Sequence, residues 1–411
     1  MYEPFTPTRA AGLAALEAFI PEAGRRYAQS RNHDLGPGAR SNVSMLSPYL
    51  RHRLITEQEV VGAVLEMHSA ASAEKFVQEV FWRTYWKGWL ELRPAVWRRY
   101  RGDVASLLDE RDTADWSDDL AAALAGNTGI DCFDAWIDEL ATEGYLHNHA
   151  RMWFASIWIF TLRLPWQLGA DLFYRQLIDG DAASNTLSWR WVAGLQTSGK
   201  TYLATAHNIA TYTEGRFSPH GLATHATALS EEPIHESITL GNVQSPPSGR
   251  AGLLVHEDDL HLESLHFPGV EIACVSGVSA VGARSPLPVS PLVEDFTRMA
   301  VGDGMTRAAE HSASSSQPLA IETLPGFTAD AVEQWASAHD LSTVVAAYAP
   351  VGPAQEIMLA MAGQLAGRGI TVATARRDWD TLAWPYARRG FFPFRERIPQ
   401  LLAQQRVGAR N

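Results

Sequence analysis

Near residue 250 the hydrophobic period of this chain changes, and the change demands two kinds of architecture in one polypeptide. Upstream, apolar residues recur every three or four positions in stretches such as 10–28, 74–92 and 132–146, the spacing that gives a helix one buried face. Strand-like alternation is nearly absent from 8–225. Downstream, short β-branched runs at 252–256, 270–276, 318–322, 342–349 and 370–375 alternate with helical stretches at roughly 291–310, 328–339 and 354–368. Strand–helix alternation of this kind predicts a parallel sheet covered by helices on both faces. Residues 226–249 are poor in aromatics and end in Pro246-Pro247-Ser248-Gly249, which reads as a linker or crossing segment. The expected fold class is therefore α plus α/β: an all-helical domain over 1–225, a linker over 226–249, a parallel-sheet, Rossmann-like α/β domain over 250–400 and a tail over 401–411. Residues 312–317 (SASSSQ) read as a polar loop inside the second domain.

Composition removes several function classes. The net charge is −12, with acid in excess in both halves, so a protein held to nucleic acid by bulk phosphate attraction is excluded. Any nucleic-acid partner must be met through a local groove. Cys132 and Cys274 are the only cysteines, too few for an all-cysteine cluster or a disulfide scaffold. The opening residues carry an early acid and no apolar run, and no 18-residue apolar stretch occurs, so neither a signal peptide nor a membrane span is expected and the protein reads as cytoplasmic. His256, His261 and His266 lie beside several acids, but a spacing of five fits no helix face. They read as a solvated strand-to-loop segment, and no metal site is expected.

One motif needs its context. Gly194 to Thr201 satisfies G-x-x-x-x-G-K-[ST], the phosphate-cradling loop of P-loop NTPases. That function requires a buried strand before the first glycine. Here a helical stretch precedes it, so a glycine-rich turn between helices is the preferred reading and the NTPase the remote alternative.

Four stretches of the helical half mix polar and aromatic residues in an apolar setting: 41–50, 78–86, 144–156 and 177–194. Arg83, Asn148, Arg151, Asp179, Asp181 and Asn185 are costly to bury unpaired. Each alone is readily a satisfied core group; a set of them implies a polar network or a bound polar cofactor. These stretches resemble, in order and spacing, the flavin-binding helical domain of the photolyase/cryptochrome family, over most of residues 10–217. The most specific piece is LIDGDAASN followed by Trp189-Arg190-Trp191, similar to the family's L-[IV]-D-G-D-x-A-[SA]-N-x-x-x-W-x-W. GNTG at 126–129 followed by Asn148 to Met152 is the second.

The resemblance implies FAD as cofactor. Ser44, Leu46 and Ser47 match the loop that holds its phosphates, and Tyr27 matches the tyrosine that covers it. Arg83 and Arg151 match arginines near the flavin, Asp179 and Asp181 match the aspartates near the adenine-ribose and the ring, and Asn185 matches the residue facing flavin N5. It also implies a substrate. Glu79 matches the acid that hydrogen-bonds a flipped pyrimidine dimer, and Trp82 and Trp191 match the two tryptophans that wall its pocket. A flipped base pair needs aromatic walls and a polar anchor. Asn148 and Met152 are of the cyclobutane-dimer type. Trp189 and Trp166 match the first two members of the family's electron-transfer chain, and Trp116 stands as the third. The pattern is broken at Met45 and Val43, where the family's loop carries arginine and threonine, and at His149, where many members carry arginine. The iron–sulfur branch's cluster cysteines are missing.

The α/β half, from 253–264 through 341–372 to 391–398, resembles the family's antenna domain, which usually comes first. The order here implies a circular permutation. No residue pattern names an antenna pigment. The resemblance thus implies FAD-dependent, blue-light-driven repair of cyclobutane pyrimidine dimers in DNA, a carbon–carbon lyase, with damaged DNA as partner. The alternative is a cryptochrome-like photoreceptor that signals to a protein partner.

Overall fold

The computed structural model describes residues 5–234, 237–243, 246–313, 318–405 and 407. Residues 314–317 of the expected polar loop lie outside them. The first half is built from α1 (Arg9–Phe19), α2 (Arg25–Ser30), α3 (Ser47–Arg51), α4 (Glu57–Met67), α5 (Ala70–Glu91), α6 (Pro94–Glu110), α7 (Ser117–Leu124), α8 (Asp131–Glu143), α9 (Asn148–Ser156), α10 (Trp166–Gln176), α11 (Ala182–Val192) and α12 (Ala206–Tyr212). Local chemistry sets several of their starts. Thr56 and Glu59 form a reciprocal capping box before α4, Ser69 caps α5, and Asp181 caps α11 by accepting from the Ser184 N–H at 2.8 Å.

The second half is a five-stranded parallel sheet of β1 (Gly249–Val255), β2 (Val270–Gly277), β3 (Ala320–Thr323), β4 (Thr343–Ala347) and β5 (Thr371–Ala375), in the order β3-β2-β1-β4-β5. Helices α13 (Pro291–Ser312), α14 (Ala329–Ala338) and α15 (Pro353–Ala366) make its crossovers. β4 is buried throughout and β3 is an exposed edge. Three short helices follow: α16 (Asp378–Ala383), α17 (Phe391–Arg395) and α18 (Ile398–Gln404). α18 runs through residue 401, where the tail is expected to begin, and residues 406 and 408–411 of that tail lie outside the described residues. The described part of 226–249 holds no helix or strand before Gly249. It is strapped across the helical half by Leu229 N–H to Ala193 O (3.0 Å), Ile238 N–H to Leu92 O (2.9 Å) and an Arg190–Glu231 ion pair.

In a doubly wound sheet the binding crevice opens where the strand order reverses, here between β1 and β4. The helical half fills it. Glu91, at the end of α5, accepts from Val351 N–H at 2.6 Å and from the Tyr348 hydroxyl at 2.8 Å, while the Trp97 indole N–H donates to Glu356 at 2.7 Å. Burial raises the Glu91 carboxyl to about 7.

The seam between the halves overturns one expectation. Residues 256–261 are not a solvated loop: His256, Asp259 and their neighbours are buried against α3 and the turn after it. Arg51 donates to Asp258 and to Gly180 O, both at 2.6 Å. Arg53 reaches Asp380 at 2.7 Å and Asp259 at 3.2 Å, and Arg377 forks onto Asp259 with two 2.6 Å bonds. Burial opposes ionisation of Asp259, yet Arg377 and Arg53 hold its pKa well below the carboxylate range. His256 is spent on Ala347 O (2.9 Å) and His261 on Ser264 (2.7 Å).

Helix α5 is the wall shared by both halves. Its outer face carries Phe81, Tyr85 and Gly88, and α16 and α17 pack on it: Trp379 donates to Thr84 Oγ1 at 2.9 Å and its ring lies 4.9 Å from that of Phe81. A Cβ at Gly88 would fall 2.8–2.9 Å from Trp384, so only glycine allows this approach.

Candidate functional site

The inner face of α5 looks into a cavity of about 570 Å³, closed by α9, α11, the end of α2 and the loop before α3. Ligand sites of this size are mostly apolar with a few convergent polar groups. The structure brings to this one cavity Tyr27, Ser44, Leu46, Ser47, Glu79, Trp82, Arg83, Asn148, Arg151, Met152, Asp179, Asp181, Asn185, Trp189 and Trp191. Trp166 and Trp116 are not in its lining. Trp166 is buried behind it, stacked on Tyr100 at 5.7 Å, and Trp116 is the half-buried residue before α7. The ring contacts of Trp189 among the described residues are with Phe154, Phe173 and Trp158, the last at 6.2 Å edge to face.

Each polar group is held by its own element. Arg151 donates to Leu146 O and to Asp179 Oδ2, both at 2.9 Å. Asp181, fixed as the cap of α11, lies 3.7 Å from the buried Lys87 ammonium. Burial works against the Asp181 charge, but Lys87, Arg83 and Arg51 hold its pKa well below the ordinary value. The Asn185 amide N–H donates to Ala170 O at 2.7 Å. A carbonyl can only accept, so this bond fixes the amide's orientation and leaves its oxygen as the free group. Met45 takes a left-handed conformation (φ +52°), which folds the 43–47 loop tightly against the cavity.

Several buried polar atoms in this lining have no protein partner: Arg83 Nε and Nη2, Asp179 Oδ1 and Ser184 Oγ. Orphaned buried donors and acceptors are rare in folded proteins and call for a ligand. A cofactor bearing phosphates, hydroxyls and a heteroaromatic ring fits this donor and acceptor set.

Sequence reasoning missed some contributors. Arg31 donates to Glu79 at 2.5 Å, while burial raises the Glu79 carboxyl against the pull of Arg31 and Lys75. His147 and His149 also line the cavity. His149 Nδ1–H donates to Asn32 O (2.9 Å) and its Nε2 accepts from the Tyr202 hydroxyl (3.2 Å). Burial lowers both histidines, His147 to about 4, so neither replaces the arginine cation absent at 149. None of these contacts has a local sequence signature, because each joins segments far apart in the chain.

The Gly194–Thr201 motif is a turn after α11. A helix and not a strand precedes Gly194, and Lys200 is exposed, which removes the P-loop reading. Both cysteines are buried thiols, pushed up to about 12 (Cys132) and about 11 (Cys274) by burial. Among the described residues no helix is long and apolar enough to cross a membrane.

Residues 76–221, which carry most of this lining, match the family described as "FAD binding domain of DNA photolyase". The helical half thus carries a photolyase-type FAD-binding domain. Its FAD-binding helices precede, in chain order, the five-stranded parallel sheet. Proteins named deoxyribodipyrimidine photo-lyase are similar to this part of the chain. The one from Streptomyces griseus is 38% identical over 156 residues, covering 38% of this chain and 33% of the relative. One from Thermus thermophilus is 32% identical over 206 residues, covering 48% and 45%. The chain thus spans less than half the length of these relatives. Among solved structures, a bacterial class III photolyase from Agrobacterium tumefaciens aligns with 51% of this chain and 43% of its own, at 25% identity and a TM-score of 0.43.

Proposed function

We propose that this protein is a blue-light-driven photolyase that splits cyclobutane pyrimidine dimers in DNA. The observation that carries the reading is the meeting of two constellations in one cavity: an orphaned polar set suited to FAD, and a mouth bearing Glu79, Trp82, Trp191, Asn148 and Met152. Reduced FAD, when bound, supplies the electron that opens the cyclobutane ring and receives it back. Ser44, Leu46 and Ser47 would hold its phosphate end, with Tyr27 covering it. Arg83 and Arg151 would give cations near the flavin, and Asp179 and Asp181 would accept from its hydroxyls and N–H groups. Asn185, whose carbonyl is free to accept, would favour the reduced form. Trp189, Trp166 and Trp116 would form the route for photoreduction.

The chain's own groups also prepare the substrate. Trp82 and Trp191 stack against the two flipped bases. Glu79, kept in place by Arg31, is raised by burial and anchors a base edge by hydrogen bonding. Asn148 and Met152 shape the floor. The exposed arginines Arg388, Arg389 and Arg397 offer the local phosphate contacts that a chain of net charge −12 needs. The helical FAD-binding domain is assigned to 1–225, the linker to 226–249, an antenna-like domain to 250–400 and a tail to 401–411, in permuted order.

A second reading, a cryptochrome-like photoreceptor with a protein partner, is favoured by the net acidity and by the neutral His149. One assay separates them. The photoreduced protein, given blue light and a thymine-dimer oligonucleotide, is expected to restore the absorbance of intact thymines. Photoreduction without restoration leaves the photoreceptor reading standing, and a chain that takes up no FAD ends both.

A further inference from the structure

We infer that the α/β half completes the substrate mouth: Phe391 of α17 is a positioning residue that fixes the plane of the Trp82 indole. This rests on the reading of Trp82 as a wall of the dimer pocket. The rings of Phe391 and Trp82 are stacked, 3.6 Å between centroids and 13° from parallel. Trp82 lines the cavity and Phe391 does not, so the phenyl ring occupies one indole face and leaves the other to a ligand. Tyr85 and Trp86 crowd Trp82 further, at 5.5 and 5.2 Å.

The segment bearing Phe391 is itself seated on the helical half. The Tyr85 hydroxyl donates to Arg389 O at 2.8 Å, Arg93 donates to Arg388 O at 2.7 Å, and the Phe394 ring lies 5.4 Å from that of Tyr85. Phe391 is only 6% exposed and cannot swing away without unseating α17. The facing wall is arranged differently. Trp191 is backed by Tyr202, 5.8 Å away and 28° from parallel, from its own half of the chain. One wall of the mouth thus belongs wholly to the helical half, and the other is held in place by a residue about three hundred positions downstream.

An indole already fixed in its binding plane loses no rotamer freedom when a base stacks on it, and such preorganisation is worth roughly two- to tenfold in affinity per ordered side chain. The test uses the full FAD-loaded chain in the dark, with thymine-dimer and undamaged oligonucleotides of one sequence. Phe391→Leu removes the flat ring and is expected to cut the preference for the damaged strand about fivefold or more. FAD absorbance and affinity for the undamaged strand stay unchanged. Phe391→Tyr, which keeps the ring, is expected to restore the preference. If Phe391→Leu fails to hold FAD, Phe391→Met, of similar bulk without a plane, takes its place under the same expectation. A leucine or methionine variant that keeps both FAD and the full preference overturns the inference while leaving the repair reading intact. A wild-type chain with no preference for the damaged strand brings down both.

Discussion

The FAD-type cavity and the seam between the halves both bury arginines and carboxylates, but they use them in opposite ways. At the seam, guanidinium and carboxylate close on each other: Arg51 with Asp258, Arg53 with Asp259 and Asp380, Arg377 with Asp259. Spare donors remain there at Arg284, buried against the Tyr174 and Leu177 carbonyls, and at Arg53 Nε, which has no hydrogen-bond partner but lies 3.3 Å from the Glu57 carboxylate. In the cavity the pairs stop short. Arg151 takes one oxygen of Asp179 and leaves the other free, and Arg83 keeps Nε and Nη2 without a partner. Buried charge that is already paired holds a fold together; buried charge with unspent valence marks a place for something else.

This contrast is open to direct attack. The largest effect is expected at the seam. Asp259→Ala strands Arg53 and Arg377 and should cost about 3–5 kcal/mol of stability in urea unfolding. FAD affinity of the folded fraction should stay unchanged, and a stability loss below about 1 kcal/mol would mean the pairs are not closed as described. Next comes the cavity. Asp179→Ala should weaken FAD binding by about 2 kcal/mol, roughly thirtyfold, read from flavin retained after dialysis. Its effect on apo-protein stability should be smaller than that at Asp259.

The third effect lies in the plugged crevice and appears only as pH changes. The folded pKa of Glu91, about 7, exceeds its unfolded value near 4.5. The stability it contributes is therefore complete below the unfolded value and lost as pH rises through 7. Glu91→Gln can accept from Val351 N–H through its one carbonyl oxygen and donate from its amide nitrogen to the Tyr348 hydroxyl, yet carries no proton to lose. Between pH 5 and pH 7 the variant should gain about 2 kcal/mol on the wild type in unfolding free energy. Parallel curves would show that Glu91 titrates normally.

Much of the architecture was legible before any coordinates. The helical period of 74–92 falls on α5, which begins four residues earlier, and the β-branched runs at 270–276 and 370–375 match β2 and β5 within a residue at each end. Those signals are local, because backbone period and side-chain branching act over a few residues. The run from His256 to His261 shows where local reading stops. Its charge suggested solvent, but its partners Arg51, Arg53 and Arg377 lie more than a hundred positions away in either direction. The cavity divides the same way. Residues carried by a spaced motif, such as Asp179, Asp181 and Asn185, could be named in advance. Arg31, Lys87 and Phe391 could not, since nothing near them in the sequence announces what they touch. Gly194–Thr201 is the converse case, a motif whose spelling is complete and whose setting, the end of a helix, denies it the chemistry.

The glycine at 88, pressed against Trp384, has a consequence for how the chain is made. The ribosome delivers α5 early and the helices that cover its outer face nearly three hundred residues later. During that interval Phe81, Tyr85 and the bare groove at Gly88 are without their cover, so the first half emerges with a sticky flank. Closing contacts of such long sequence separation are slow to form. Synthesis of this protein should therefore depend on chaperones more heavily than that of an all-helical domain whose surfaces close on themselves.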